Sequence, residues 1–346
     1  MGKLPTDLSC VTTVGLDLAK HIFFVHAIDA EGKIVVAREL RRRDVAAFFA
    51  SLPPSLVGIE ACGSAHHWGR TLIAQGHDVR LMPPAYVKPY VKRQKNDAAD
   101  AAAICEAVTR PSMRFVRVRE IDNQAVLMRH KAREMLVGQR TQLLNGLRGH
   151  LAEIGVIAAQ GAGHARALAA LIREGHEEIP DSVRAALLPL VAQLDHLDAA
   201  IDDADAAIAR LAKAEPVARR LMSIPGIGPL TASALVATVG DPSAFAGPRE
   251  FAAFLGLVPR QHSSGGKPRL GRISKMGNQY LRKLLVVGAH AVLHHRARHS
   301  DPLRCWAEKL IATKPFKLVA VALANKLARM AFAIMTSDER YRGTPA

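Results

Sequence analysis

The first 110 residues alternate short apolar strand patterns with short helical patterns, and this order predicts a layered α/β fold at the amino-terminal end. Val11–Leu18 and Ile22–Ile28 are rich in β-branched and apolar residues, and Lys33–Glu39 follows them after an Asp-Ala-Glu-Gly turn. The three segments predict a three-stranded meander.

Helix and strand patterns then alternate as far as Val108. In chain order we predict a short helix capped by Asp44 and ending at Ala50, a strand at Leu56–Ala61, a helix at Ala65–Gln75 ended by Gly76, a strand at Asp78–Met82, and a helix at Asp97–Val108 capped by Asn96. The order β-β-β-α-β-α-β-α describes an α/β layer fold of the ribonuclease H type.

Two acidic residues lie in or at the end of predicted strands. Asp17 shares a face of the first strand with the small residues Gly15 and Ala19, and a carboxylate there is costly unless it is paired or bound to metal. Glu60 lies at the end of its strand, where ligands of open α/β sheets usually bind.

Asp97 and Asp100 are three residues apart in the first turns of a predicted helix, so they share one face. Carboxylate oxygens suit Mg²⁺ or Mn²⁺, and two such ions about 3.5–4 Å apart stabilise the entering and leaving oxygens of a phosphoryl transfer. Taken singly, each acid could be an ordinary helix-start or strand-end residue. Together they predict that Asp17, Glu60, Asp97 and Asp100 hold Mg²⁺ or Mn²⁺.

The positive charge of the chain is concentrated in its last third. The formal net charge is +16, and residues 216–346 contain 20 basic and 6 acidic residues, a net charge of +14. Residues 151–215 contain 5 basic and 11 acidic residues, a net charge of −6. The excess predicts that the last third binds a polyanion, most commonly nucleic acid.

A helical segment is predicted from about Ile121 to Gly155, and its basic residues available to solvent are Arg129, Lys131, Arg133, Arg140 and Arg148. In the acidic segment 151–215, apolar residues recur at alternating spacings of four and three, which is a heptad seam flanked by acids. The residues of this seam are Leu190, Leu194, Leu197, Ile201, Ala204, Ile208 and Leu211. An intramolecular helical hairpin and an intermolecular coiled coil are both compatible with it.

Two glycine-containing motifs lie in the basic third. Ile224–Thr231, which reads IPGIGPLT, is typical of a helix-hairpin-helix turn, in which Gly226 and Gly228 would let backbone N–H groups approach a phosphate. The alternative is a simple glycine and proline connector between helices.

The second motif places two adjacent hydroxyls, Ser263 and Ser264, in a glycine-rich cationic loop. Its basic residues, which could clamp a phosphodiester, are Arg260, Lys267, Arg269, Arg272 and Lys275. The phosphate-loop frame G-x-x-x-x-G-K-[ST] is absent, and no strand is predicted before the loop. On chemistry alone, each serine could be a phosphate contact, part of a turn, or a nucleophile.

Other features narrow the class of protein. Four cysteines without a C-x-x-C pair argue against disulfides and a structural zinc site, and we expect them to be buried. The apolar segment Leu318–Met335 is interrupted by Lys326 and Arg329, so no membrane helix is expected. A cytoplasmic protein associated with the nucleoid is the resulting expectation.

The motifs in this order resemble the DEDD transposases of bacterial insertion sequences, the one-ten family with its eleven-eleven subgroup, which also includes the Piv DNA invertase. The resemblance rests on VGLDLAK, VGIEACG, KNDAADAAAI, SIPGIGPLTASAL and GLVPRQHSSGGKPRLGRISKMGN followed by LRKLL. It extends from about residue 11 to residue 335, and all four acidic positions are present.

The resemblance implies three domains: a RuvC-like domain over residues 1–114 with the acidic tetrad, a helical coiled-coil region over 115–215, and a mostly helical transposase domain over 216–346. It implies a serine recombinase guided by a structured noncoding RNA that pairs with donor and target DNA. Ser264 is the better match to the family's nucleophile and Ser263 the second. The resemblance also implies a covalent phosphoserine intermediate, and we expect a homo-oligomer, a dimer or a tetramer.

Two other functions are compatible with parts of the pattern. A hydrolytic Holliday-junction resolvase would use the same acids to activate water, with the serine loop only binding phosphate. A non-enzymatic nucleic-acid scaffold would need the basic third alone, and the four acids speak against it.

Overall fold

The computed structural model describes residues 7–91, 96–157, 159, 161–267, 269–298 and 301–343. The chain divides into two compact units between Ile121 and Asp122. The predicted boundary at residue 215 lies inside the second unit, where helices from both sides of it pack together. The three-domain division stays a prediction.

The first unit contains a five-stranded mixed sheet with helices. Its elements are β1 (Thr13–Asp17), β2 (Ile22–Ile28), β3 (Ile34–Arg41), α1 (Val45–Ala50), β4 (Leu56–Glu60), α2 (Ala65–Ala74), β5 (Asp78–Met82), α3 (Pro84–Val87) and α4 (Asp97–Val108). The strand order is β3-β2-β1-β4-β5. The pairs β1–β2 and β2–β3 are antiparallel, whereas β1–β4 and β4–β5 are parallel. Every predicted element is present within two residues of its predicted bounds, and the short α3 was not predicted.

The two helix caps predicted in this unit have different outcomes. Asn96 caps α4 as predicted, because its Oδ1 accepts a hydrogen bond from the N–H of Ala99 at 2.8 Å. The prediction that Asp44 caps α1 is wrong, since its side chain makes no cap hydrogen bond. Asp44 already has helical backbone angles as the last residue of a 3₁₀ turn at Arg42–Asp44, and an N-cap normally needs an extended backbone.

Helix α4 lies directly on the sheet at two glycines. Gly15 of β1 and Gly58 of β4 are paired across the parallel strands. A Cβ atom on Gly15 would lie 2.1 Å from the carbonyl oxygen of Ala101, and one on Gly58 would lie 2.8 Å from the Cβ of Val108. Any side chain at Gly15 would therefore push the helix away from β1.

The second unit is mostly helical, as predicted. Its elements are α5 (Ile121–Ala152), α6 (Ala162–Glu174), α7 (Asp181–Ala214), α8 (Pro216–Leu221), α9 (Pro229–Val239), α10 (Pro248–Phe254), β6 (Pro259–Gln261), β7 (Leu270–Ile273), α11 (Gln279–His294), α12 (Pro302–Ile311) and α13 (Phe316–Met335). Strands β6 and β7 form an antiparallel hairpin that was not predicted.

The heptad seam belongs to the single long helix α7 and is mostly covered within the chain, although Leu211 at its end is exposed. Leu194, Leu197 and Ile201 are almost fully buried. The acids beside the seam pair with basic residues of α5 and α6, so this chain shows the intramolecular alternative. These ion pairs are Arg133–Asp205, Arg140–Asp198, Arg166–Asp198 and Arg173–Asp195. The expectation that Arg133 and Arg140 face solvent is wrong, because both are partly buried in these pairs.

Helix α13 is long and apolar enough to cross a membrane by length and composition, with a mean hydropathy of 1.7 over its best window. Lys326 and Arg329 do not prevent this, contrary to the sequence argument. Half of that window is buried within the unit, and Leu323 and Leu327 are fully buried in its apolar core. Core packing therefore accounts for the apolar composition of α13.

The cysteines are free, as predicted, but only Cys105 is buried. Cys10, Cys62 and Cys305 are exposed, so the expectation that all four are buried is wrong. Cys105 lies on the face of α4 that contacts Gly15, where its backbone nitrogen would be 2.5 Å from an added Cβ.

The contact at Gly15 leads to a stability prediction. Gly15→Ala should lower the free energy of unfolding of the first unit by about 2–3 kcal/mol, because the new methyl group overlaps backbone atoms of α4. Gly63→Ala is the matched control in the same unit, since a Cβ there meets nothing within 4 Å. Its effect should stay within about 0.5 kcal/mol in the same denaturant titration. Equal effects of the two substitutions would contradict the proposed packing role.

Candidate active site

Three of the four predicted acids meet at one edge of the sheet. Asp17 is the last residue of β1, and Asp97 and Asp100 lie in the first turn of α4. One carboxylate oxygen from each of the three lies within 4.8 Å of the others. The glycine contact between α4 and β1 brings these acids together, because it holds the start of the helix close to the end of the strand.

Glu60, the fourth predicted acid, ends β4, the strand parallel to β1 and next to it. Its carboxylate is not part of the three-residue group. It is nevertheless close enough for its charge to raise the pKa of both Asp17 and the Cys62 thiol. A role for Glu60 as a metal ligand stays a prediction.

The charges at this edge repel one another. The pKa of the Asp17 carboxyl is raised to about 6, and burial is the largest cause. The negative charges of Asp100, Asp97 and Glu60 contribute further, in that order. Among the described residues, no basic side chain forms an ion pair with the three clustered acids. Protonation or a bound cation would relieve the repulsion.

The donor set fits a hard divalent cation. All the converging atoms are carboxylate oxygens, which Mg²⁺ and Mn²⁺ prefer, and the spacing allows several of them to contact one ion. Asp17 and Asp100 are half-buried and Asp97 is exposed, so the group opens to solvent on one side. Asp17, Asp97 and Asp100 could therefore hold a metal ion that also remains accessible to a substrate.

The IPGIGPLT turn connects α8 to α9, and its two glycines differ in their surroundings. Gly226 has a φ of +87°, and a Cβ there would lie 2.8 Å from the carbonyl oxygen of Gly288 in α11. Gly228 is exposed at the N-cap position of α9, followed by Pro229. Gly226 thus has a packing role, and phosphate binding by this turn stays a prediction.

The serine motif forms the exposed hairpin β6–β7. A strand therefore does precede the glycine-rich turn, and the expectation that none does is wrong. A second strand follows the turn, whereas a phosphate loop would continue into a helix, so exclusion of that motif stands. The signal that sequence reasoning missed is the Gly265-Gly266 pair, a typical two-residue hairpin turn.

The two serines have different surroundings. Ser263 Oγ accepts hydrogen bonds from the Gln261 side chain and from the backbone N–H of Arg269, each at 3.0 Å. Ser264 lies at the turn itself, and its hydroxyl makes no hydrogen bond within the described part of the chain. Ser263 thus stabilises the hairpin, whereas the hydroxyl of Ser264 is available for another partner.

All five basic residues predicted to contact phosphate are exposed on or beside the hairpin. They are Arg260, Lys267, Arg269, Arg272 and Lys275. No acidic side chain of the described residues pairs with any of them. Their positive charges therefore remain available to a polyanion.

Comparison with known proteins gives consistent matches along the chain. Residues 218–303 match the family described as Transposase IS116/IS110/IS902 family, and residues 14–156 match the DEDD transposase family of the IS110 group. A probable family 20 transposase of Pseudomonas aeruginosa is 46% identical over 335 residues, which cover 96% of this chain and 99% of that protein. The transposase for insertion sequence element IS1111A of Coxiella burnetii is 41% identical over 351 residues, covering 98% and 94%.

A shorter match joins the chain to a DNA-inverting protein. The pilin gene-inverting protein of Moraxella lacunata is 30% identical over 122 residues, which cover 35% of this chain and 37% of that protein. The two transposases, in contrast, align with nearly the whole chain. Both the aligned relatives and the family matches therefore show that the chain belongs to the IS110/IS116/IS902 family of insertion-sequence transposases.

Proposed function

We propose that the chain is a transposase that cuts and rejoins DNA as a site-specific recombinase, with Ser264 as the nucleophile and Mg²⁺ or Mn²⁺ at the acidic site. The observation that carries the proposal is the group of three carboxylates at the end of β1 and the start of α4. In a family of transposases, such a group is suited to phosphoryl transfer on DNA. The strand order of the first unit supports a RuvC-like, ribonuclease H-type domain.

The acids and the serine have separate roles in this proposal. Asp17, Asp97 and Asp100, with Glu60 beside them, hold the metal. Divalent cations there would polarise the phosphate and stabilise the charge that develops on its oxygens. Ser264 Oγ forms a bond to phosphorus as the bond from phosphorus to the 3′-oxygen breaks, which leaves a phosphoserine and a free 3′-hydroxyl.

The basic second half holds nucleic acid. The five exposed basic residues at the hairpin supply phosphate contacts, and Gly226 and Gly228 are proposed to form part of a helix-hairpin-helix contact. With only 5% aromatic residues, recognition would depend on phosphate contacts and shape more than on base stacking. We propose that a structured guide RNA selects donor and target DNA and that the protein acts as a dimer or tetramer, as the resemblance implies.

The metal site predicts opposite effects of one substitution on stability and on metal response. Asp17→Asn should raise the free energy of unfolding of the metal-free protein at neutral pH by about 1 kcal/mol after allowance for solvent screening, because it removes a repelled charge. The same substitution should abolish the increase in melting temperature that Mg²⁺ gives the wild type. Asp44→Asn, an exposed acid paired with Arg43, is the control and should leave the Mg²⁺ response unchanged.

The pH dependence follows from the raised pKa of Asp17. Folded protein binds this proton more tightly than unfolded protein, so the stabilising effect of protonation increases as the pH falls through about 6 towards the ordinary carboxyl value. The Mg²⁺-induced increase in melting temperature should shrink over the same interval, because protons compete with the metal. A full Mg²⁺ response in Asp17→Asn would contradict the proposed ligand role.

The nucleophile is tested by comparing the two serines. Ser264→Ala should lose the covalent DNA–protein adduct and all strand cleavage while keeping DNA binding. Ser263→Ala should keep the adduct at a rate reduced by about tenfold, since two hydrogen bonds of the hairpin are lost. The measurement is denaturing gel electrophoresis of labelled DNA incubated with protein, Mg²⁺ and the element's flanking RNA. Continued cleavage by Ser264→Ala would instead support the hydrolytic resolvase.

The guide RNA is tested in the same reaction. Adduct formation should need RNA transcribed from the flanks of the element, and a scrambled RNA of equal length should not replace it. Binding of the scrambled RNA should remain measurable, because phosphate contacts are independent of sequence. Equal adduct yields with no RNA would rule out guidance as a requirement for cleavage.

A further inference from the structure

The tip of the β6–β7 hairpin fixes which residue faces Ser264. Ser264 and Lys267 form an isolated antiparallel bridge, and the N–H of Lys267 donates to the carbonyl oxygen of Ser264 at 3.1 Å. The two residues between them, Gly265 and Gly266, have φ angles of +56° and +74°. Positive φ at both central positions is typical of the type I′ turn of a two-residue hairpin.

Residues paired in this way project their side chains from the same face of a hairpin, with Cβ atoms about 4.5–5.5 Å apart. Residues two positions along each strand share that face, so His262 and Arg269 lie on it too. The ring of His262 confirms the orientation, since its Cδ2 would lie 3.7 Å from a Cβ on Gly271, which belongs to the same face.

The opposite face carries different groups. Ser263 and Gln261 are two residues apart and hydrogen-bonded to each other through their side chains, as expected for neighbours on one face. The hairpin thus separates a face with Ser264 and Lys267 from a face with Ser263 and Gln261.

Two other basic residues of the motif have backbone contacts at the base of the hairpin and not at its tip. Arg260 donates a hydrogen bond to the carbonyl oxygen of Ser274 at 3.2 Å, at the base of the hairpin. Lys275 has a left-handed backbone, with a φ of 55°, and its N–H donates to the carbonyl oxygen of Gly256. Among the five basic residues, Lys267 is the one whose backbone is paired with that of Ser264.

We propose that Lys267 is a catalytic partner of Ser264, whose ammonium group contacts the phosphate that the serine attacks. The proposal rests on the proposed function of Ser264. An ammonium on a flexible stem offers three donors and a compact charge, and the two glycines of the turn leave no side chain between it and an approaching phosphate. The lysine therefore stabilises the negative charge that accumulates on the phosphate oxygens during attack.

The step is balanced without a further reactant. The bond from Ser264 Oγ to phosphorus forms as the bond from phosphorus to the 3′-oxygen breaks. The serine hydroxyl loses its proton to solvent, and the departing 3′-oxygen takes one up from solvent. Lys267 keeps its proton throughout, so its contribution is electrostatic.

The experiment compares Lys267→Met with Lys309→Met in the full-length protein with RNA, Mg²⁺ and labelled DNA. Both variants lose one exposed lysine from the second unit, but Lys309 belongs to α12 and lies outside the hairpin. Lys267→Met should lower the single-turnover rate of adduct formation about 100-fold, with DNA affinity changed less than about threefold. Lys309→Met should keep the wild-type rate of adduct formation at saturating DNA.

Lys267→Arg provides the rescue, because it restores a positive charge at the same position, and it should recover at least about a tenth of the wild-type rate. Equal rate losses in Lys267→Met and Lys309→Met, or in Lys267→Met and Lys267→Arg, would overturn the proposal. Ser264→Ala in the same assay distinguishes failure of the Lys267 proposal from failure of the proposed function. If it abolishes the adduct while Lys267→Met has no effect on the rate, the nucleophile stands and the role of Lys267 fails. If Ser264→Ala still forms the adduct, the proposed function itself fails.

Discussion

The close contact of α4 with β1 at Gly15 is the packing interaction on which the acidic site depends. A helix normally rests on side chains of a sheet, which hold it away from the strands. At Gly15 the backbone of α4 itself contacts the strand, and Gly58 in the neighbouring strand allows the same approach. The start of α4 is thereby held at the end of β1, where its two acids meet Asp17. Carboxylates that repel one another stay clustered only when the helix and strand that carry them are held together by such a contact.

The base of the β6–β7 hairpin is held by similar close backbone contacts at glycines. Gly256 and Gly277 flank the hairpin, and a Cβ on either would lie about 2 Å from a carbonyl oxygen of the other segment, at Met276 and Phe254 respectively. Arg282 ties the same base together by donating to the carbonyl oxygens of Leu255 and Met276. The base is therefore fixed by backbone contacts while the tip is exposed. Ser264, the proposed nucleophile, lies at this tip and can enter a DNA groove without losing its orientation.

The strands and helices of the first unit could be predicted from the sequence because the signals for them are local. Alternating apolar residues gave the strands, and Asn96 gave the start of α4. The hairpin was missed because its strands are exposed and polar, so no alternation of apolar residues marks them. The ion pairs of Arg133 and Arg140 were missed because their partners lie about 60–70 residues away in the chain, and a helical pattern does not identify distant partners. Likewise, the sequence alone does not distinguish Ser263 from Ser264, because only the hairpin places their side chains on opposite faces.

The acidic cluster of the first unit and the basic hairpin of the second unit have opposite charges. DNA is a polyanion, and the cluster of Asp17, Asp97 and Asp100 would repel a phosphodiester through the same Coulombic repulsion that adds to burial in raising the pKa of Asp17. The basic hairpin of the second unit has the opposite charge and attracts a phosphodiester. A substrate would therefore gain its binding energy mainly from the basic residues and could approach the acids only once cations have neutralised them. In the proposed function, cations must therefore bind the acids before a phosphodiester can approach them. This order explains why a carboxylate cluster with no basic partner among the described residues is compatible with a family of transposases.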